Sequence, residues 1–450
     1  MSTDRIRSFE KKLNQWFGVT EFEFGRLLAV GTLWFLLMGG IEIGRIGRDG
    51  YFLKEAGPSK IPMMYLLNAV FMLVIYSGYS RLVDRVARHK FLIGMQIATA
   101  VAILTLRFLI PAKFEWLPAV IFCTVESLFL LFMMHFWTFA NGVFDPHEGK
   151  RIFPLLAGAG LMGTIAGSLI CKPLSAWIGT INLFFVWAGT LLLCVPLTLR
   201  AYKSQVQAGT EHKLSEGAPA AGFIESVSYV WSVPLLRTLT YMTIPMWIVI
   251  YVIEFHYYRT MNSVFTDQDE LTGFLGLFVG LCSVAGLILQ MTLTGRLLQR
   301  FGVGATTLIY PFSLTVGTVA LMFYSLFPPS EHHGLMNITA LVALSRFCDI
   351  AIYFSVFDSA SQLLYNSLPD EKRGQGRAFV SGIIMPLSTA SAGAMLLWMD
   401  GSAQPLHNIA FVGLNLAFLL VVFGLNINGD YLKALLFNLN SRDVDLRSQA

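Results

Sequence analysis

The chemically capable residues of this chain are ionisable groups set in apolar surroundings, where charge is expensive and function is the default reading. Glu126 lies about nine residues into the apolar run 117–144. At about 1.5 Å of rise per residue that is roughly 13 Å along a helix. A carboxylate at that depth must be paired, face water or hold a proton. It suits substrate binding or proton coupling; the plainer alternative is a protonated acid bonded to a neighbouring helix. Arg346 and Asp349 stand three apart in the run 335–364, on one helical face. A guanidinium there binds an anionic group while the carboxylate holds it in place, or the two form a salt bridge that only orders the helix. Glu42, Arg45 and Asp49 fall at i, i+3 and i+7 beside Arg48 near the end of the run 27–47. Glu254 and His256 flank the end of 238–258. Asn141, Asp145, Glu148, Lys150 and Arg151 crowd the far end of 117–144. His135, nine residues from Glu126, is turned half way round the helix and suits packing or polar bonding between helices.

The elements that must hold these groups are membrane helices. Apolar residues make up 55% of the 450 and charged residues 13%, against about 25% charged in an average soluble domain. That excludes a soluble enzyme, a disordered chain and a nucleic-acid-binding protein. The P-loop, HExxH, Gly-x-Ser-x-Gly and Rossmann signatures are missing from the sequence, so no enzyme activity, cofactor or metal site is expected. Five cysteines, Cys123, Cys171, Cys194, Cys282 and Cys348, sit in apolar segments and read as small core hydrophobes.

A spanning helix needs about 20 mostly apolar residues. Runs at 27–47, 61–80, 90–111, 117–144, 153–176, 181–200, 238–258, 271–295, 303–327, 335–364, 378–399 and 409–427 give twelve expected spans. The run 335–364 is long for one crossing, so its inner part is expected to project beyond the bilayer. The charged first 26 residues lead into a full-length span, so the first helix is expected to be retained as an anchor. With the N-terminus inside, inner segments carry 23 Lys and Arg and outer loops carry 8. The positive-inside rule then places both termini in the cytoplasm. His256 falls near the expected membrane interface.

The longest polar stretch, 201–237, divides the spans into six and six. The expected organisation is an N-terminal segment 1–26, bundles 27–200 and 238–427, the linker, and a tail 428–450. The halves echo each other: GYSRLVDRVARHK (78–90) corresponds to GRLLQRFGVG (295–304), and FDPHEGKR (144–151) to LPDEKRGQGR (368–377). Parallel six-helix repeats around a cytoplasmic linker are the plan of major facilitator transporters, which rock two bundles about a site. The loop 78–90, with Asp84 and Arg85, resembles the Gly-x-x-x-Asp-Arg loop of that superfamily, placed to brace an inner gate. Glycines four apart in GAGLMGTIAG (158–167) and GLFVG (276–280) are expected to let helix backbones approach closely.

The block FWTFANGVFDPHEGKRIFPLLAGAGLMGTIAG (136–167) resembles the signature of the ATP/ADP translocases of plastids and obligate intracellular bacteria. Phe136, Trp137, Phe139, Ala140, Asn141, Glu148, Lys150 and Arg151 match it. SVFDSASQLLYNSLPDEKRGQGRAFVSGIIMPLSTASAGAML (355–396), including Asp358 and Arg377, is similar to a second family segment. Arg48-Asp49, Ile61-Pro62 and Asn68 resemble further elements, and Glu126 and Glu254 fall near two membrane carboxylates of the family. The resemblance implies a twelve-helix major facilitator fold and an anionic substrate such as a nucleotide. Three family lysines are replaced here by Tyr51, by Tyr65 or Met64, and by Tyr353.

The expected protein is thus an all-α, monomeric secondary transporter of a bacterial inner membrane. The substrate site falls to Glu126, Arg346, Asp349, Tyr353, Asn68 and Trp137. Glu42, Arg45, Arg48, Asp49 and Glu254 fall to an outer gate. Asn141, Asp145, Glu148, Lys150, Arg151, Asp84, Arg85, Asp358 and Arg377 fall to an inner gate. Two cargo classes stay open: a nucleotide or other phosphorylated anion moved by exchange, and another small or amphipathic solute moved with protons or sodium. A membrane receptor or assembly scaffold is the remaining class, disfavoured by the lack of a soluble sensor domain in the sequence.

Overall fold

In a computed structural model, residues 21–83, 86–144, 146–207, 223–326, 334–368, 370–402 and 406–436 are described. Eleven helices among them are long and apolar enough to cross a membrane, and Ile309–Met322 is a shorter apolar helix. The protein is an all-helical, multi-pass membrane protein. This architecture follows from the medium, since a helix satisfies every backbone polar group within its own segment.

The chain divides into two compact units. The first comprises Met1–Ala56, Val70–Gly217 and Phe265–Leu281. It is built on α1 (Glu21–Glu55), α3 (Arg88–Leu109), α4 (Leu117–Val143), α5 (Pro146–Ile178) and α6 (Leu183–Gln207). Helix α2 (Ile61–Val83) and helix α9 (Gln268–Leu289) are each shared between the units. Within the first unit α1 packs on α4, α5 and α6. Its core stacks Trp34 on Phe136 at 3.8 Å between ring centroids. The expected close approach of backbones is present: a Cβ at Gly163 would strike the Phe35 carbonyl of α1, and one at Gly167 the Gly39 carbonyl. Gly276 likewise faces the Ser168 carbonyl and Cys171.

The second unit comprises Gly57–Ala69, Ala218–Val264 and Cys282–Ala450. It contains α7 (Phe223–Ser232), α8 (Pro234–Val264), α10 (Gly295–Thr307), α11 (Ile309–Leu326), α12 (Gly334–Ile352), α13 (Asp358–Asn366), α14 (Asp370–Phe379), α15 (Met385–Gly401) and α16 (Leu406–Leu425). Helix α8 packs on α11, α12, α15 and α16. Among the described residues three π-helical segments interrupt this unit: Gln290–Thr294, Tyr353–Phe357 and Val380–Ile384. The first two are tied by the Thr294 hydroxyl, which donates to the Ser355 carbonyl at 3.0 Å.

Two helices run further than their apolar runs suggest. Helix α1 continues to Glu55, so Glu42 to Asp49 lie within it rather than at its end. Helix α8 continues to Val264, so Glu254 and His256 are also internal. In both cases helical geometry extends past the apolar window because the charges find partners. The run 335–364 is broken by the π segment Tyr353–Phe357 rather than continuing as one regular helix. The middle of the linker, 208–222, lies outside the described residues.

Candidate functional site

In the first unit, one face of α1 presents its charges to α4. Arg48 donates from Nη1 to Glu126 at 2.7 Å and from Nη2 to Asp49 at 2.6 Å. Arg45 donates to Glu42 at 3.3 Å and pairs with the same Glu126 oxygen at 3.5 Å. Both guanidinium groups lie over aromatic faces of α4: Arg48 over Phe122 at 4.1 Å and Arg45 over Phe129 at 4.6 Å. A ring face attracts a cation and excludes water from it. Position in the sequence separates 42–49 from Glu126, but folding joins them in one cluster.

The second unit holds a corresponding cluster of opposite arrangement, with the carboxylate on α8 and the arginine on α12. Arg346 pairs with Glu254 through Nη2 and with Asp349 through Nη1, the latter at 2.5 Å. The Tyr65 hydroxyl donates to Glu254 at 2.7 Å, and the Tyr310 hydroxyl to Asp349 at 2.5 Å. Both carboxylates are therefore charge acceptors gripped from two sides. Glu254, set apart from Arg346 and Asp349 by position, belongs with them in space.

Aromatic rings extend this second cluster. Tyr65 lies 4.3 Å from Tyr251, Tyr251 6.0 Å from Trp247, and Trp247 6.1 Å from Tyr353. Tyr353 in turn meets Tyr310 at 5.4 Å and stacks on Phe357 at 5.7 Å. Tyr65, Trp247, Tyr251 and Tyr310 are additions to the expected set. The available signal was a tyrosine or tryptophan inside an apolar run, whose polar tip needs a partner when buried. Asn68 is buried one turn beyond Tyr65 on α2.

The remaining candidates stand elsewhere. Trp137 joins an aromatic group with Trp34 and Phe153. Asn141 donates to the Trp137 carbonyl of its own helix. Arg26 donates to Glu148 at 2.5 Å, and Arg151 to Glu23 at 2.8 Å. These two pairs tie α1 to α5 inside the first unit. In the second unit Arg377 donates to Gln362, which donates to Asp358 at 3.2 Å. Asp84, Arg85 and Asp145 and the side chain of Lys150 lie outside the described residues. His135 is buried, with Nε2 2.9 Å from the Arg88 carbonyl and Nδ1 3.1 Å from the Tyr79 hydroxyl. His256 is buried, with Nδ1 2.8 Å from the Val252 carbonyl of its own helix. Among the described residues no group of His, Cys, Asp and Glu is arranged to hold a metal ion.

Comparison with known proteins matches this architecture to transporters. The chain is similar to the solved structure of the nucleoside transporter NupG at a TM-score of 0.61 and 10% identity, covering 90% of this chain and 99% of that one. That likeness shows the fold. In sequence it is 24% identical over 280 residues to the "ADP,ATP carrier protein 1, chloroplastic" of Arabidopsis thaliana, covering 58% of this chain and 45% of that one. It is 23% identical over 314 residues to "ADP,ATP carrier protein 1" of Chlamydia trachomatis, covering 61% and 59%. The chain thus spans about half the length of the relatives it matches. Residues 96–426 match the family described as TLC ATP/ADP transporter, which is most of the chain, and the chain belongs to that family.

Proposed function

We propose that the protein is a secondary transporter that moves a nucleotide or another phosphorylated anion by alternating access, with counter-exchange. The observation that carries this reading is an arginine held between carboxylates in each unit of a chain of this family: the buried Arg48 in the first and the partly buried Arg346 in the second. Guanidinium forks match phosphate oxygens bidentately and stay charged when desolvated. Glu126, Glu254 and Asp349 hold these forks in place and keep them charge-compensated while no anion is bound. The pairs Arg26–Glu148 and Arg151–Glu23 act within one bundle, and their part is to keep it rigid as it moves. Operation as a monomer in a bacterial inner membrane, both termini cytoplasmic, completes the proposal.

The test is reconstitution. Proteoliposomes preloaded with unlabelled ATP are expected to take up labelled ADP, and Arg346→Ala to abolish the uptake. Absence of uptake with ATP, ADP and every phosphorylated anion tried would sink the reading. The rings around Glu254 and Asp349 favour one second reading, an amphipathic cation as cargo. Thermal stabilisation of the purified protein by such cations, and not by nucleotides, would support it.

A further inference from the structure

We propose that the first unit binds an anionic phospholipid at the end where α3 gives way to α4 and α5 to α6, with the headgroup phosphate on Arg107 and an acyl chain along α3 and α6. Neither cluster of paired charge contributes to this site, and the inference does not depend on what the protein carries. Its basis is an arginine whose charge is left over. In the same unit Arg26, Arg45, Arg48 and Arg151 each pair with a carboxylate. Among the described residues no carboxylate pairs with Arg107; its Nη2 donates instead to the Asn182 side-chain oxygen at 2.7 Å. Asn182 is fixed in turn, because its amide nitrogen donates to the Ile178 carbonyl at 2.5 Å. The guanidinium also lies over the Phe185 ring, 5.2 Å from its centroid. It is thus held in one orientation by neutral groups that leave its charge intact.

The position is a membrane boundary. Arg107 stands in the last turn of α3, and Asn182 directly precedes α6, on which α3 packs. Exposed tryptophans mark the same end: Trp116, stacked on Phe114 at 5.3 Å, and Trp177 of α5. Tryptophan collects at the level of lipid headgroups. Away from this end the surface is apolar. Ile97, Val101 and Phe108 are exposed on α3 at i, i+4 and i+11, and Phe185, Leu192 and Leu199 on α6 at i, i+7 and i+14. Each spacing keeps to one helical face. The two faces meet where Phe108 sits edge-on to Phe185 at 5.7 Å. An apolar seam headed by a fixed guanidinium has the outline of a phospholipid, and a guanidinium binds phosphate through charge-assisted hydrogen bonds. Lys113, exposed in the turn after α3, adds a second cation, against one exposed acid there, Glu115. Asp269, at the turn into α6, is engaged by the Thr180 backbone N–H at 2.6 Å. The surplus of positive charge favours a headgroup with a net negative charge over one whose own ammonium balances its phosphate.

Native mass spectrometry of the purified full-length protein, released from mixed micelles holding equal amounts of phosphatidylglycerol and phosphatidylcholine, reads the lipid retained. The expected result is a single chain that keeps phosphatidylglycerol in preference to phosphatidylcholine. Arg107→Gln is expected to weaken phosphatidylglycerol retention about tenfold, and Lys113→Gln about fivefold, with phosphatidylcholine retention unchanged. Thermal melts give a second readout. Phosphatidylglycerol should raise the melting temperature of the unsubstituted protein above its value in phosphatidylcholine, and Arg107→Gln should remove that difference. A purely structural role for Arg107 would lower both melts and leave the difference between lipids in place. Lys113→Gln, a change in an exposed turn, carries the test if Arg107→Gln does not fold. Equal retention of the two lipids, or a preference unchanged in the variants, would overturn the proposal. Stabilisation by soluble glycerol 3-phosphate as strong as by phosphatidylglycerol would also overturn it, by making this a site for a soluble anion. A two-chain species free of lipid would overturn it by making the face a contact between copies.

Discussion

Arg346 is the residue on which the second cluster turns. Removing it leaves Glu254 and Asp349 as like charges in an apolar setting. Breaking a buried pair from one side costs about 3–5 kcal/mol, far more than an exposed pair. Arg346→Ala is therefore expected to lower the melting temperature in detergent sharply. Neutralising both acids in the same chain, as Glu254→Gln with Asp349→Asn, is expected to restore most of that loss. If the triple variant melts no higher than Arg346→Ala, the charge explanation is wrong. A smaller effect belongs to Tyr310, whose hydroxyl donates to Asp349. A hydrogen bond to a charged group contributes about 1.5–3 kcal/mol. Tyr310→Phe should lose an amount of that order in thermal or denaturant unfolding, with the ring contacts to Tyr353 and Phe357 kept.

Between elements, the contact of α1 with α5 shows why small residues recur in these helices. In a bilayer, lipid tails compete equally for apolar surface, so helices associate through close packing instead. Gly167 has no room for a side chain because its Cβ position meets the Gly39 carbonyl, whereas nothing lies within 4 Å of the Cβ position at Gly158. Overpacking of this kind costs about 1–3 kcal/mol. Gly167→Val should destabilise the protein by that order in a detergent melt, and Gly158→Ala should leave the melt unchanged. Equal behaviour of the two would mean that α1 and α5 do not pack backbone to backbone. The π segments follow another logic. Each lets a helix carry an extra residue within a turn, and such bulges recur at functional sites. Tyr353, in the second of them, meets both Trp247 and Tyr310.

At the scale of the whole molecule, the two units carry similar clusters of charge. Each unit holds an arginine between a carboxylate near it in sequence and one from another helix: Asp49 and Glu126 around Arg48, Asp349 and Glu254 around Arg346. The polarity is reversed, with the arginine on α1 in the first unit and on α12 in the second. The distribution of Lys and Arg in the sequence predicts an orientation in the membrane. A cysteine introduced at the exposed Lys113, between α3 and α4, should react with a membrane-impermeant maleimide on intact cells. One introduced at the exposed Arg300 should react only after the membrane is opened. The reverse pattern would invert the topology.

The membrane class and most of the spans were legible in the sequence because each is a local property of composition. A run of about 20 apolar residues has one stable form in lipid wherever it occurs. The sequence also marked Glu126, Arg346 and Asp349, since a charge in an apolar run is conspicuous by itself. The 136–167 block carried the family resemblance. The pairings were another matter. Arg48 and Glu126 are 78 residues apart, Glu254 and Arg346 are 92, and Tyr65 and Glu254 are 189. Helical periodicity says which face a residue occupies but not which helix that face meets. Residues 42–49 and Glu254 therefore looked like the ends of spans, apart from the charges that complete them. Only the packing of α1 on α4, and of α8 on α12, made two clusters of those residues and put aromatic rings beside both.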